Sequence, residues 1–382
     1  MKSIHVVGAG PAGLMAAHRY ALKGYKVTVY DHKTAPGRKF LVAGHGGFNL
    51  THSEELELFL SRYNAPQIKA MVRRFTNQDT VQWLQSIGTP TYTGSSGKIF
   101  PQKGIKPIEV LRKWKEALTA LKVEFCFEHR LVDFDREFLY FAHQGEIQQL
   151  PYSRAVFAFG GKSWAKTGSD GAWVSLFREK GISVQDFEAS NSGLETQVRY
   201  EHLAGQPLKN IRIFNQVAEK LGEMVITSYG IEGSAVYYMN RYIRQEAFPQ
   251  LLYVDLLPSY EEERLATLLR QGKVTEVLKS RLKLRGGALG LLKTLDRESY
   301  TRPEVLARYI KSFPFEITGF RSIDEVISSY GGVAWEELND DLSLKKYPGI
   351  QCCGEMLNWD APTGGYLLQA CFASGYATAL KG

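Results

Sequence analysis

Gly8, Gly10 and Gly13 stand in the stretch VVGAGPAGL, between a short apolar run and a helical pattern, and Asp31 closes the apolar run that follows. Strand, G-x-G-x-x-G, helix, strand and acid in this order describe a dinucleotide site. Gly8 permits the tight turn, Gly10 lets a pyrophosphate come against the backbone, Gly13 lets helix and strand pack closely, and Asp31 can accept from a ribose hydroxyl. The free N–H groups at the helix start supply the anion-binding end. The motif by itself leaves open which dinucleotide is held.

Two further stretches carry glycines with polar company. PGRKFLVAGHGGFNLTHSE, residues 36–54, leads with Arg38 and Lys39 and continues through a glycine-rich run to Asn49 and Thr51. The cations suit a pyrophosphate or an adenosine, and the glycines let the loop lie against a large ring; a solvated surface loop fits the same residues. AFGGKSWAKTGSDG, residues 158–171, places Gly160 and Gly161 at a strand end, where α/β sheets bind ligands, with Thr167, Ser169 and Asp170 close behind. Asp170 is a candidate for proton transfer there, although a plain sheet-to-helix turn explains the glycines as well.

The fourth stretch lies at the other end of the chain. In PTGGYLLQACFASGYATAL, residues 362–380, the apolar positions Leu367, Leu368, Cys371, Phe372, Tyr376, Ala379 and Leu380 recur at helical spacing. Thr363 is the expected N-cap, with Gly364 and Gly365 at the first turn. A cofactor with one diphosphate and two large rings can use one helix start for the pyrophosphate and another for its far ring, which is the shape of FAD. The positive end of the second helix would stabilise charge at the N1–C2=O edge of a reduced flavin.

These motifs need a frame. Residues 4–7 and 27–30 read as strands on either side of a helix over 14–23 that ends at Gly24, a β-α-β unit. Helical segments follow around 56–87 and 108–121. The run AVFAF, residues 155–159, is apolar throughout, as a strand covered on both faces of a parallel sheet should be. From about 190 to 260 the texture becomes short strands, including MVITSYGIEGSAVYYM and LLYVDLLP, and from 261 to 311 it turns helical and basic. The expected architecture is α/β, with a Rossmann-like FAD-binding domain built from residues 1–189 and 331–382. Residues 190–330 are expected to form an inserted substrate domain, strand-rich over 190–260 and 312–330, with a helical subdomain at 261–311.

Composition narrows the class. With 382 residues, 44% of them apolar, the chain can build two substantial cores. The opening apolar stretch is broken by His5, three glycines and Pro11, so it fits neither a signal peptide nor a spanning helix, and the expected compartment is the cytoplasm. The four cysteines show no C-x-x-C spacing, so neither a thiol redox pair nor a metal site is expected. A formal charge of +7 fits an anionic cofactor, an anionic substrate or RNA equally well.

Taken together, GAGPAGLMAA, GRKFLVAGHGGFNLTHSE, FGGKSWAKTGSDG, TSYGIEGSAV, GGVAWEEL and CGEMLNWDAPTGGYLLQACFASGY resemble the BaiN/YhiN-like bacterial flavoproteins, NAD(P)/FAD-dependent oxidoreductases, over nearly the whole chain. The resemblance implies a two-dinucleotide-binding-domain flavoprotein fold with an inserted β-barrel-like domain and tightly bound FAD. Matched by motif, Gly8, Gly10, Gly13, Asp31, Arg38, Lys39, Gly46, Asn49, Gly160, Gly161, Gly354, Glu355, Asp360, Gly364, Gly365 and Gln369 would line the cofactor. Pro11, Ala12, His32, Gly47, Leu131, Val132, Ala158, Tyr366 and Leu367 complete the expected lining. The chain departs from the family's S-G-G-G-R-C-N loop, having His45 where glycine is usual and Phe48 where cysteine is. His45 could donate a proton near the flavin or contact phosphate.

The expected function is an FAD-dependent reductase that passes hydride from transiently bound NAD(P)H through flavin N5 to a small unsaturated or carbonyl substrate. No catalytic acid or base is assigned. A flavin-dependent RNA-modifying protein is the alternative, resting on Lys279, Arg281, Lys283, Arg285 and Lys293; the expected reading of that stretch is a solvated helix face, with no nucleic-acid or membrane partner. A flavin-binding sensor without turnover is the third class.

Overall fold

A computed structural model describes residues 2–42 and 48–380 of the chain. The expected roles of His45, Gly46 and Gly47 fall outside the described residues. The chain divides into two compact units, residues 1–188 with 328–382, and residues 189–327.

The first unit is built on a five-stranded parallel sheet. β1 (Ser3–Val7) lies at its centre, between β2 (Lys26–Asp31) and the strand Ala155–Phe157; Glu124–Phe127 and Ile350–Cys352 close the edges. Its inner strands read as unbroken apolar runs because helices cover both faces, and Ile4, Val6, Val27, Val29, Ala155, Val156 and Phe157 are almost fully buried. Helix α1 (Pro11–Leu22) joins β1 to β2 and starts with a proline in its first turn, where the missing N–H costs nothing. The terminal helix Tyr366–Thr378 packs along α1. Gly375 makes that contact possible, since a Cβ there would stand 2.2 Å from the Ala12 carbonyl oxygen.

Two small antiparallel sheets hang on this frame. One is the meander Arg130–Phe134, Phe138–His143 and Glu146–Pro151; the other has Lys98–Pro101 between Thr51–His52 and Thr91–Thr93. The glycine-rich stretch after Pro36 is not wholly loop, because Arg38–Val42 forms a short helix.

The second unit holds a closed six-stranded barrel of Leu194–Thr196, Gly230–Glu232, Glu219–Ile226, Pro207–Phe214, Gln250–Asp255 and Phe313–Phe320. Its inward residues, among them Ile211, Ile213, Met224, Val254, Phe313, Phe315 and Ile317, are buried together. Helices such as Glu262–Leu269 and Pro303–Lys311 pack on one another beside it. One stretch differs from its sequence reading. SAVYYM is not strand but the start of the helix Ser234–Ile243, with Ala235, Val236, Met239, Asn240 and Ile243 on the buried side. Those positions follow the helical period, and that packing overrides the strand preference of the tyrosines.

Candidate functional site

The carboxyl ends of β1, β2 and Ala155–Phe157 meet at a cavity of about 440 Å³, within the size range of ligand pockets. Gly8 turns the chain out of β1 at φ +107°, with its N–H donating to the Tyr30 carbonyl at 2.8 Å. A Cβ on Gly8 would lie 2.3 Å from the Ala158 carbonyl oxygen, and one on Gly13 would lie 1.9 Å from the Gly8 carbonyl oxygen. Both glycines are therefore demanded by the packing of the turn itself. Gly10 differs: a Cβ there would meet nothing within 4 Å, because the residue borders the open cavity.

Asp31 closes the turn from the other side. Its carboxylate accepts from the Ala9 N–H at 2.7 Å and the Lys33 N–H at 2.8 Å. A carboxylate offers about four acceptor positions, so it can hold the loop and still accept from a ligand hydroxyl. Beside it, His32 lines the cavity with its Nε2 buried and unpartnered. Burial holds the His32 imidazole below its ordinary pKa, against the opposing pull of the Asp31 carboxylate. A buried polar atom with no partner at a cavity wall is what an incoming polar ligand would satisfy.

Of the residues expected to line a cofactor, the cavity brings together Gly8, Gly10, Pro11, Asp31, His32, Arg38, Lys39, Leu131, Val132, Ala158, Gly160 and Glu355, along with Thr167, Ser169 and Asp170. Asp170 lies 3.7 Å from Arg130, a loose ion pair at the rim. Lys39 donates to Glu355 at 2.9 Å and to the buried Ser163 hydroxyl at 2.8 Å. Arg38 is exposed at the same edge, at the start of its short helix.

Other expected residues stand elsewhere. Ala12 and Gly13 lie behind the turn, in the first turns of α1. Gly161 carries its backbone against Ser329, whose hydroxyl would be 2.2 Å from a Cβ. Gly354, at φ +83°, sits against Ala12, and its N–H donates to the Ser374 hydroxyl at 3.0 Å. Asn49 follows the undescribed segment, and the Asp360 N–H donates to the Asn64 side chain at 2.7 Å.

At the terminal helix the N-cap is Gly365, not Thr363. Gly364 and Gly365 are both left-handed, at φ +114° and +105°, which places the helix start two residues later than an N-capping threonine would. A Cβ on Gly365 would lie 2.5 Å from the Thr51 carbonyl, so its bare Cα serves close packing on a strand. Tyr366 is buried, with its hydroxyl donating to Glu54 at 2.8 Å, and Leu367 packs against the same core. Gln369 is fully buried; its Oε1 accepts from Thr51 and Thr80 at 2.8 Å each, and its amide donates to the Phe75 carbonyl at 2.7 Å. All its hydrogen-bonding groups are engaged within the protein.

Sequence reasoning missed His129 and Arg130 at the cavity wall. His129 stacks on His143 with ring centroids 3.9 Å apart, and its ring lies edge-on to Tyr30. The available signal was the preceding apolar run, which forms the parallel strand Glu124–Phe127 and opens its carboxyl end at this place.

The residues present fit a dinucleotide. Gly10 leaves room beside the unbonded first-turn amides of α1, Asp31 and His32 offer an acceptor and an unpaired ring nitrogen, and Arg38 supplies an exposed cation. Among the described residues no histidine, cysteine and carboxylate group is placed to hold a metal, and no helix is long and apolar enough to cross a membrane.

Comparison with known proteins gives the same architecture. The chain is 25% identical to the 3-dehydro-bile acid delta(4,6)-reductase of Clostridium scindens, over 98% of each chain. It is 24% identical to the ribosomal RNA dihydrouridine synthase of Haemophilus influenzae, over 98% of this chain and 97% of that one. Among solved structures, a flavocytochrome c3 fumarate reductase superposes with a TM-score of 0.54 at 14% identity, over 99% of this chain and 78% of its own. A 3-ketosteroid-delta4-(5alpha)-dehydrogenase from Rhodococcus jostii RHA1 gives 0.51 at 14% identity, over 99% and 95%. At that identity the structural matches establish the fold. The family model described as the HI0933-like protein Rossmann domain matches residues 2–381, and the chain belongs to that family of flavoprotein oxidoreductases.

Proposed function

We propose that the protein is an FAD-dependent reductase that takes hydride from NAD(P)H and delivers it to a carbon–carbon double bond conjugated to a carbonyl. The observation that carries the cofactor reading is the open cavity at Gly10, beside Asp31 and the unpartnered His32 Nε2. The substrate class rests on what the two relatives' names share. A delta(4,6)-reductase acting on a 3-dehydro bile acid and a synthase making dihydrouridine both saturate such a bond.

FAD, when bound, supplies a two-electron carrier whose N5 accepts and releases hydride. The protein's own part is binding and orientation. The first-turn amides of Ala12 and Gly13 would hold the pyrophosphate, Asp31 the adenosine ribose, and Arg38 would offset the phosphate charge. Lys39 is already paired with Glu355, so its part is to fix the wall rather than to meet phosphate directly. The amino end of the terminal helix, capped at Gly365, would face the far ring, where the helix dipole favours the anionic reduced form. The overall balance is NAD(P)H plus a proton plus the conjugated alkene giving NAD(P)+ and the saturated carbonyl compound.

A second reading keeps the chemistry and changes the substrate to a uracil of RNA. Lys279, Arg281, Lys283 and Arg285 are all exposed, alternating with the buried Leu278, Leu282 and Leu284, which gives a cationic edge suited to phosphates. One experiment serves both. The cofactor released by heat is identified as FAD or FMN, the protein is reduced anaerobically with NADH and with NADPH, and the reduced protein is offered a 3-keto-4-ene steroid or unmodified ribosomal RNA. Release of FMN alone refutes the cofactor assignment, and failure of both nicotinamides to bleach the flavin refutes the donor. Reoxidation by one acceptor and not the other chooses the substrate.

A further inference from the structure

Trp164 occupies a conformation that its residue type resists. It has φ +61° and ψ +53°, the left-handed region, and it is the one aromatic among the non-glycine described residues with positive φ. It is also 38% exposed, whereas the other five tryptophans are buried or partly buried. Its indole N–H and ring face meet no hydrogen-bond or aromatic partner among the described residues. Strain of this kind persists only where the surroundings over-determine it, and it concentrates where a side chain is held for a ligand.

Two locks hold the indole outward. The Trp164 carbonyl accepts from both the N–H and the hydroxyl of Thr167 at 2.8 Å. The preceding Ser163 is fully buried, its hydroxyl accepting from Lys39, which is fixed in turn by Glu355. The single turn Ala165–Thr167 separates Trp164 from the cavity wall, where Thr167, Gly168 and Ser169 stand. Lys162 and Lys166 flank it in the chain, both exposed; the Lys162 charge acts on the Asp186 carboxylate, and no described carboxylate forms an ion pair with Lys166. An unstacked π-face with an exposed cation two residues away on either side in the chain, one turn from a ligand cavity, matches a planar base that carries phosphate.

We propose that Trp164 is a stacking platform for a nucleotide distinct from the resident cofactor, with Lys162 and Lys166 holding its phosphates. The nucleotide is either the free nicotinamide dinucleotide that delivers electrons or a base of an RNA strand. The platform deepens the proposed function, and it is tested by binding rather than turnover, so its failure does not depend on the identity of the acceptor.

The experiment uses protein whose FAD content has been verified by absorbance. NADP+ and a short oligouridylate are titrated separately, following tryptophan fluorescence and binding heat. At least one ligand should quench the wild-type emission, and which one does so identifies the source. Trp164→Phe should abolish that quenching and keep most of the affinity; Trp164→Ala should weaken binding about tenfold or more, the range for a lost base–aromatic stack. Lys162→Gln with Lys166→Gln should flatten the salt dependence of binding. Trp164→Gly separates function from fold, because glycine adopts this φ without penalty: the melting temperature should hold or rise while affinity falls. Absence of binding by both ligands, quenching that survives in Trp164→Phe, or unchanged affinity in Trp164→Ala or Trp164→Gly would overturn the assignment.

Discussion

Gly10 and Gly13 are three residues apart in one motif, yet the structure gives them opposite sensitivities. Gly10 lies at φ −81° and ψ 178°, ordinary extended backbone that valine adopts readily, and a Cβ there touches nothing. Gly10→Val should therefore change the stability of the flavin-free protein by no more than about 0.5 kcal/mol, as for a surface position. Its side chain fills the space beside the first-turn amides. Losing two charge-assisted amide–phosphate bonds at roughly 1.5–3 kcal/mol each weakens FAD binding by about 3–6 kcal/mol, a hundred- to ten-thousand-fold. Gly13→Ala instead drives a methyl to 1.9 Å from the Gly8 carbonyl oxygen, and the backbone shift costs about 1–3 kcal/mol or more in the absence of any ligand. The assay is paired: flavin content by absorbance after purification, and chemical denaturation of the flavin-stripped proteins. Gly10→Val should be colourless and as stable as stripped wild type, and Gly13→Ala less stable whether or not it binds. Full FAD occupancy in Gly10→Val, or a stripped Gly10→Val as unstable as Gly13→Ala, would refute the argument that Gly10 faces the ligand and Gly13 the fold.

Gln369→Ala strands the Thr51 and Thr80 hydroxyls and the Phe75 carbonyl in a dry interior, so denaturation should show a loss of roughly 2–5 kcal/mol, while the folded fraction keeps its full share of FAD. His18 is buried and accepts from the Trp83 indole at 3.2 Å, and burial pulls its pKa down to about 4. Its unfolded form takes up a proton near pH 6.5, so this contribution is whole above that pH and is lost as pH falls toward 4, by about 3 kcal/mol in all. His18→Gln should flatten the stability–pH curve over that window by close to one proton. Cys352, Cys353 and Cys371 are buried, and burial raises their thiol pKa values. A four-fold Cys→Ala variant that also replaces Cys126 should still accept electrons from a nicotinamide donor, and loss of reduction with FAD retained would reveal a thiol relay.

The nucleotide turn was legible in the residues because its geometry is local. Gly8, Gly10 and Gly13 set backbone angles and close approaches within one β-α step, and Asp31 falls at the end of the adjacent strand, so spacing along the chain maps directly onto spacing in the sheet. The all-apolar run at 155–157 declared a central parallel strand for the same kind of reason, since a strand covered on both faces has no polar side to show. What lay beyond reach was set by partners far apart in the chain. Gln369 looked like a cofactor residue at a helix start, but Thr51, 318 positions away, and Thr80 claim its side chain. Gly365 looked free for a ring, but the Thr51 backbone faces its Cα. His129 and Arg130 carry no motif, and they reach the cavity only because Glu124–Phe127 pairs in parallel with β2 and ends at the same edge. Local sequence determined the backbone turn that opens on the cavity; packing between distant segments decided which side chains line that cavity and which are spent on holding the fold together.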